Sequence, residues 1–175
     1  MTMLLLTGGI GVGKTTVAHK ICSLTGAQYV GVRAALAGVL HLDETDRAAM
    51  QEAGAALDAR TDGAWLAEFI EQQVGKHDRL VVDAVRTERQ FDAVRNRVPH
   101  AKLVFLDAPL SVRRTRFETA TLTDEMKASA GFDRSVDHPT EQLVIALRGR
   151  ADIVLDNSTT TANDTAARLA RLIEA

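Results

Sequence analysis

Five short runs of Leu, Val and Ile punctuate the chain, at 3–7, 28–32, 79–84, 102–107 and 152–156. Most lack polar alternation, which is the pattern of strands covered on both faces. Helical spacing fills the intervals. Leu66, Phe69, Ile70 and Val74 form one apolar stripe, Phe91, Val94 and Val98 a second, and Ala162, Ala166, Leu169 and Ile173 a third. The second stripe has readable ends: Thr87 and Gln90 have the spacing of a capping box, and Pro99 stops the helix. Strands separated by helices predict a parallel α/β sheet, because parallel neighbours need crossover connections. Residues 119–140 break the rhythm. They are polar, lack a clean period and contain Gly131 and Pro139, so they predict a mobile excursion over the sheet.

Composition narrows the function classes. At roughly 150 residues per domain, 175 residues make one domain. A chain that is 46% hydrophobic and 25% charged can build a core. Its net charge of −2 and 4% aromatics disfavour a basic nucleic-acid module or a base-stacking platform. The single cysteine, Cys22, excludes an internal disulfide and a Cys-rich zinc site. The N-terminus lacks a basic leader, and no apolar run approaches the ~20 residues of a membrane span, which predicts a cytoplasmic protein. The charge is unevenly placed. Residues 41–73 carry eight acids and two bases, whereas 79–116 carry nine bases and four acids. An acidic ligand is therefore expected near the second stretch.

One motif accounts for such a ligand. Gly8-Gly9-Ile10-Gly11-Val12-Gly13-Lys14-Thr15 fits G-x-x-x-x-G-K-[ST], between an apolar strand and a helical pattern (Val17, Ile21, Leu24). Glycines at 8, 9, 11 and 13 let backbone N–H groups, that of Val12 included, turn inward around a phosphate. The following helix, opening with Lys14, Thr15 and Thr16, adds its positive end. Lys14 can bridge the β- and γ-phosphates, and the Thr15 hydroxyl can ligate Mg²⁺. ATP and Mg²⁺ are the implied ligands.

Other residues are candidates for facing the γ-phosphate. Asp83 ends the third strand, where open parallel sheets place their ligands. It can hold a magnesium-bound water, or accept a proton from a hydroxyl acceptor. Arg86 and Arg33 can clamp an anionic acceptor. Arg113 and Arg116 share a helix face that Arg114 does not, so with Arg134 they are the candidates for stabilising a phosphoryl group in transfer. His138 and Glu141 close the polar excursion. Without a metal-ligand constellation around it, His138 is expected to be structural unless a resemblance says otherwise.

These residues together make the chain resemble the P-loop kinases of the adenylate-kinase-like group over nearly its whole length. Asp83-Ala84-Val85-Arg86 is similar to the Asp-Gly-x-x-Arg element of nucleoside monophosphate kinases, with Ala84 in place of Gly. Arg33 with Leu36 resembles their acceptor-side arginine helix. His138-x-x-Glu141 and the strand ending in Asp156-Asn157 are similar to bacteriophage-type deoxynucleoside monophosphate kinases. The resemblance implies a three-layer P-loop NTPase fold with five parallel strands and helices on both faces. It implies a core of 1–40, 76–116 and 141–175, an acceptor-binding insert at about 41–75 and a lid at about 117–140. It makes Arg33, Arg86, His138 and Glu141 acceptor residues and places adenine in the loop after Asn157. The third lid arginine of the group is missing after Arg116.

The implied activity is transfer of the γ-phosphoryl of ATP to a small nucleotide-like acceptor by a monomer or homodimer away from membranes. A (deoxy)nucleoside monophosphate is the first acceptor. Related kinases phosphorylate hydroxyls instead, on hydroxymethylpyrimidines in DNA or on dephospho-coenzyme A, which would make Asp83 a base. A non-catalytic ATP switch is the reading from another class, and it would need fewer groups around the γ-phosphate.

Overall fold

Five parallel strands form one sheet in the order β2–β3–β1–β4–β5. The computed structural model describes residues 2–43, 47–121 and 131–174. The chain runs β1 (Thr2–Thr7), α1 (Lys14–Thr25), β2 (Gln28–Gly31), α2 (Val32–Leu40), α3 (Arg47–Thr61), α4 (Ala64–Val74), β3 (Arg79–Asp83), α5 (Glu88–Arg97), β4 (Lys102–Asp107) and α6 (Leu110–Thr121). It continues with α7 (Phe132–Val136), α8 (Pro139–Ala146), a 3₁₀ turn (Leu147–Arg150), β5 (Ile153–Asp156) and α9 (Ala162–Glu174). The three-layer architecture expected from sequence is the one observed.

Alternation along β1 separates the two cores. Leu4 and Leu6 pack with Val17 and Ile21 of α1 and Leu169 and Ile173 of α9. Met3 and Leu5 face the other way, against Leu66 and Ile70 of α4 and Phe91 and Val94 of α5. Leu4, Leu5 and Leu6 are wholly buried, and each contributes ~1.5–3 kcal/mol through burial. This explains why β1 is apolar without a break. The strand order reverses beside β1, which leaves the crevice beyond its carboxyl end for a ligand.

The ends of two elements differ from expectation and shape the site. The third strand stops at Asp83, because Ala84 turns into the left-handed region at φ 74°. The Ala84 and Val85 amides both donate to the Leu6 carbonyl, at 3.1 and 3.2 Å. Left-handed backbone disfavours a Cβ by ~1–2 kcal/mol. Ala84→Gly is therefore expected to raise the urea midpoint by the equivalent of ~1 kcal/mol. A lower midpoint would mean that the methyl group packs usefully.

At α5, Thr87 Oγ1 accepts the Gln90 amide at 3.2 Å, as a capping box requires. The return bond is shifted by one residue: Gln90 Oε1 accepts from the Arg86 amide, at 3.0 Å.

The segment 41–75, expected as an insert, holds α3 and α4, with Met50, Leu57 and Trp65 buried. Of the excursion expected over 119–140, residues 122–130 lie outside the described residues. On either side, regular structure intrudes on it. Phe117 is buried edge-on against Phe132, centroids 5.5 Å apart, and α6 runs on to Thr121. Pro139 at the first turn opens α8, where its missing N–H is harmless. Among the described residues no helix is long and apolar enough to cross a membrane.

Candidate active site

The loop from Gly8 to Gly13 joins β1 to α1 and takes the shape its glycines permit. Gly11 has φ 78°, and a side chain there would run into the Arg113 carbonyl. Gly13, at φ 95°, caps α1 without a side-chain hydrogen bond. Lys14 folds back over the loop, and its Nζ donates to the carbonyls of Gly8 (2.6 Å) and Gly9 (3.2 Å). Burial pulls its pKa down to about 8. Arg86 nearby contributes to that lowering, while Asp83 and Glu141 oppose it.

Asp83 ends β3 directly across from this cation. Its Oδ2 accepts from Thr15 Oγ1 at 2.6 Å and from the Tyr29 hydroxyl at 3.1 Å. Burial and the Asp83 carboxylate both hold the Tyr29 pKa above the ordinary phenol value, so Tyr29 stays a donor. The His19 ring stacks on it at 4.2 Å. Among the described residues Asp83 Oδ1 is buried and finds no hydrogen-bond partner. Such an oxygen is costly to leave unmet.

The adjacent hydroxyl and carboxylate are hard oxygen donors, the set that suits Mg²⁺, and the unmet oxygen gives a hydrated ion something to bind. The described residues contain no cluster of three or more His, Cys, Asp or Glu able to hold an ion by themselves. An ion here would thus be shared with phosphate oxygens.

Arginines from α6 reach the loop as their spacing predicted. Arg113 Nη1 donates to the Ile10 carbonyl at 3.4 Å. Arg116 donates to the carbonyls of Val12 (3.2 Å) and Asn157 (2.8 Å). Arg114 points away, pairs with Asp133 and lies over the Phe132 ring. Glu141, only 7% exposed, gathers two guanidinium groups and a backbone N–H at the loop mouth. Its Oε2 accepts the Ile10 amide at 2.9 Å and lies 4.0 Å from Arg113, and its Oε1 is 3.6 Å from Arg86.

A cleft of about 1070 Å³ opens from this loop. That lies at the upper end for single small-molecule sites, so it has room for a donor and an acceptor together. Ile10, Gly11, Gly13, Lys14, Thr15, Thr16 and Asn157 line one part. Arg33, Leu36, Met50, Asp58, Trp65, Arg86 and Arg89 line another.

Two residues expected here do other work, and a third has a second task. Arg134 is exposed on α7 and does not line the cleft. His138 caps α8, its Nδ1 accepting the Thr140 amide at 3.2 Å, and it too does not line the cleft. Asn157 is buried and braces the loop: Nδ2 donates to the Val12 carbonyl at 2.8 Å, and Oδ1 accepts from Thr165 at 2.7 Å. Each end of that side chain keeps one further hydrogen-bonding site, and Asn157 lines the cleft. Sequence reasoning missed Tyr29, Asp58 and Gln90. Tyr29 lay in the weakest strand pattern, Asp58 carries no local signal, and Gln90 signals only a helix cap.

The basic stretch 79–116 also resolves into two populations. Arg95 pairs with Asp152, and Arg97 with Glu68 and Glu71, on the surface. Such exposed pairs contribute little. Arg86, Arg113 and Arg116 turn inward.

A family model described as an AAA domain matches residues 4–142. No curated protein matches the chain. Solved structures match it almost end to end. A shikimate kinase from Acinetobacter baumannii aligns at TM-score 0.63 and 16% identity, covering 99% of this chain and 92% of that one. A sugar kinase from a Janibacter species aligns at 0.65 and 17%, covering 99% and 94%. A gluconokinase from Sinorhizobium meliloti aligns at 0.59 and 21%, also covering 99% and 94%. The likeness is one of fold, and that fold is the P-loop kinase fold.

Proposed function

The chain belongs to the AAA-domain family, and from that premise we propose that it is a kinase moving the γ-phosphoryl of ATP to a small anionic acceptor, most directly a (deoxy)nucleoside monophosphate. The observation carrying this reading is one cleft that joins the phosphate loop to Arg33 and Arg86. The loop and Lys14 hold the donor phosphates. Arg113 and Arg116, whose guanidinium groups now rest on loop carbonyls, are placed to follow negative charge as it spreads over the transferred group. When bound, magnesium neutralises phosphate oxygens, and Thr15 and Asp83 are the residues that would hold it. Arg86 and Arg33 orient the acceptor anion, and Leu36, Met50 and Trp65 supply an apolar wall for its body. A monophosphate attacks as an oxyanion and needs no base.

A second reading is favoured by the unpartnered Asp83 Oδ1. A hydroxyl acceptor must lose its proton as it attacks, and a buried carboxylate oxygen can take it. The named functions of the matching structures, shikimate kinase and gluconokinase, lend this reading weight.

Arg86→Ala separates acceptor from donor roles. Losing a charge-assisted contact corresponds to ~10–100-fold in affinity. Acceptor KM is expected to rise by that factor, with ATP KM little changed. A rise confined to ATP KM would assign Arg86 to the donor side.

A further inference from the structure

Asp58 of α3 is buried, at 8% exposure, and its hydrogen-bond partners are neutral. Trp65 Nε1 donates to Oδ1 at 2.6 Å. Gln90 Nε2 reaches Oδ1 and Oδ2 at 3.1 and 3.0 Å, and Thr87 Oγ1 reaches Oδ2 at 3.4 Å. Each carboxylate oxygen has two lone pairs and faces two donors. Although Asp58 lines the cleft, its acceptor capacity is filled by protein.

The chemistry of this knot has a direction. A carboxylate only accepts, so the NH₂ end of Gln90 must face Asp58. The carbonyl end must then face the other way, where Oε1 takes the Arg86 N–H at 3.0 Å. Arg86 in turn extends to Glu141 at the loop mouth. The charge state of one residue in α3 thereby fixes the backbone from which Arg86 projects.

We infer that Asp58 is a positioning residue for the acceptor site, acting through the Gln90 amide to set Arg86. The inference rests on the reading of Arg86 as the acceptor clamp. It also ties α3, within the proposed acceptor insert, to the turn after β3, so the two parts of the acceptor wall are held as one unit.

An Asp58→Asn substitution tests it, because an amide offers one acceptor and one donor in place of two acceptors. Gln90 Nε2 reaches both oxygens, so in either orientation the new NH₂ confronts the Gln90 NH₂, and at the Oδ1 position it also meets the Trp65 N–H. A Gln90 flip that relieves the conflict confronts the Arg86 N–H with a second donor. The double substitution D58N/Q90E restores the pattern. The carboxylate at position 90 then accepts from both Arg86 N–H and the new amide, whose oxygen keeps the Trp65 N–H.

In the free protein, hydrogen exchange of the Arg86 amide, followed by NMR, is expected to quicken by at least ~10-fold in D58N and to return toward wild type in the double variant. With a deoxynucleoside monophosphate as acceptor, KM is expected to rise ~10-fold in D58N, with ATP KM unchanged, and to recover in D58N/Q90E. Unchanged exchange and KM in D58N, or a double variant no better than D58N, overturns the relay. Altered exchange with unchanged acceptor KM in both D58N and Arg86→Ala retains the Asp58–Arg86 coupling but overturns the acceptor role of Arg86.

Discussion

Lys14→Met is expected to lower turnover by ~10²–10³-fold, the usual consequence of removing one electrostatic stabiliser from a phosphoryl-transfer site. The protein should nevertheless melt no lower than wild type. Lys14 is a buried amine that the fold does not favour in its charged form, with its pKa pulled from 10.5 to about 8. Met fills similar space without a charge. The linkage has a definite sign. Between pH 8 and 10.5 the unfolded chain binds more protons at this residue than the native one does, so wild-type stability gains a component that rises with pH in that window. That component should vanish in Lys14→Met, as judged by urea midpoints across the range. The same shift predicts that ATP affinity of the wild type declines above about pH 8, as the amine in the empty site loses its charge. A variant that keeps wild-type turnover would remove Lys14 from the chemistry.

Asp83→Asn is expected to abolish turnover by ~10²–10⁴-fold while leaving the melting temperature within a few degrees of wild type. The structure separates the two effects atom by atom. The hydrogen bonds from Thr15 and Tyr29 both end on Oδ2, and an amide oxygen can keep them. The atom replaced by NH₂ is Oδ1, which has no partner to lose. Only the charge and the unmet oxygen disappear, and those are what a cation or an acceptor proton would use. The loss should exceed that of Arg86→Ala by the wider margin if the acceptor is a hydroxyl, because Asp83 then serves as base as well as cation ligand. A variant that unfolds would instead make Asp83 a structural carboxylate.

The phosphate loop could be seen in the sequence because its chemistry uses contiguous residues. Glycines, Lys14 and Thr15 must stand in fixed order for backbone amides and one cation to converge. β1, β3 and β4 were as clear, since burial on both faces leaves no polar alternation, whereas β5 is apolar at the sheet edge with Val154 41% exposed. The pairing of Arg113 with Arg116 on one face, and the exclusion of Arg114, followed from helical spacing alone.

What escaped detection joins residues far apart in the chain. Gln90 meets Asp58 across 32 positions, and Tyr29 meets Asp83 across 54. No local pattern distinguishes Asp58 from a surface acid, and it lay in a stretch marked only by its excess of acid. Ala84 belonged to an apolar run until its positive φ showed the strand ending one residue earlier. His138 and Asn157 show the opposite failure. Their positions matched a short motif, yet one caps a helix and the other braces the loop, both tasks set by backbone groups that a motif does not display. The narrower likeness to phage-type kinases rested largely on that same segment, whereas the broader P-loop kinase architecture rests on the whole chain.

The central claim is that the cleft seats an acceptor in line with a γ-phosphoryl held at the Gly8–Thr15 loop. The most direct test is phosphorus NMR of wild-type protein with ATP and magnesium, offered in turn the nucleoside monophosphates, dephospho-coenzyme A and DNA carrying hydroxymethylpyrimidines. The account predicts that one acceptor class acquires the phosphoryl group, with one ADP formed for each group transferred, and that neither Lys14→Met nor Asp83→Asn supports the transfer. ATP that binds but yields ADP at the same rate with every acceptor, and no phosphorylated product, would contradict it and leave a nucleotide switch in its place.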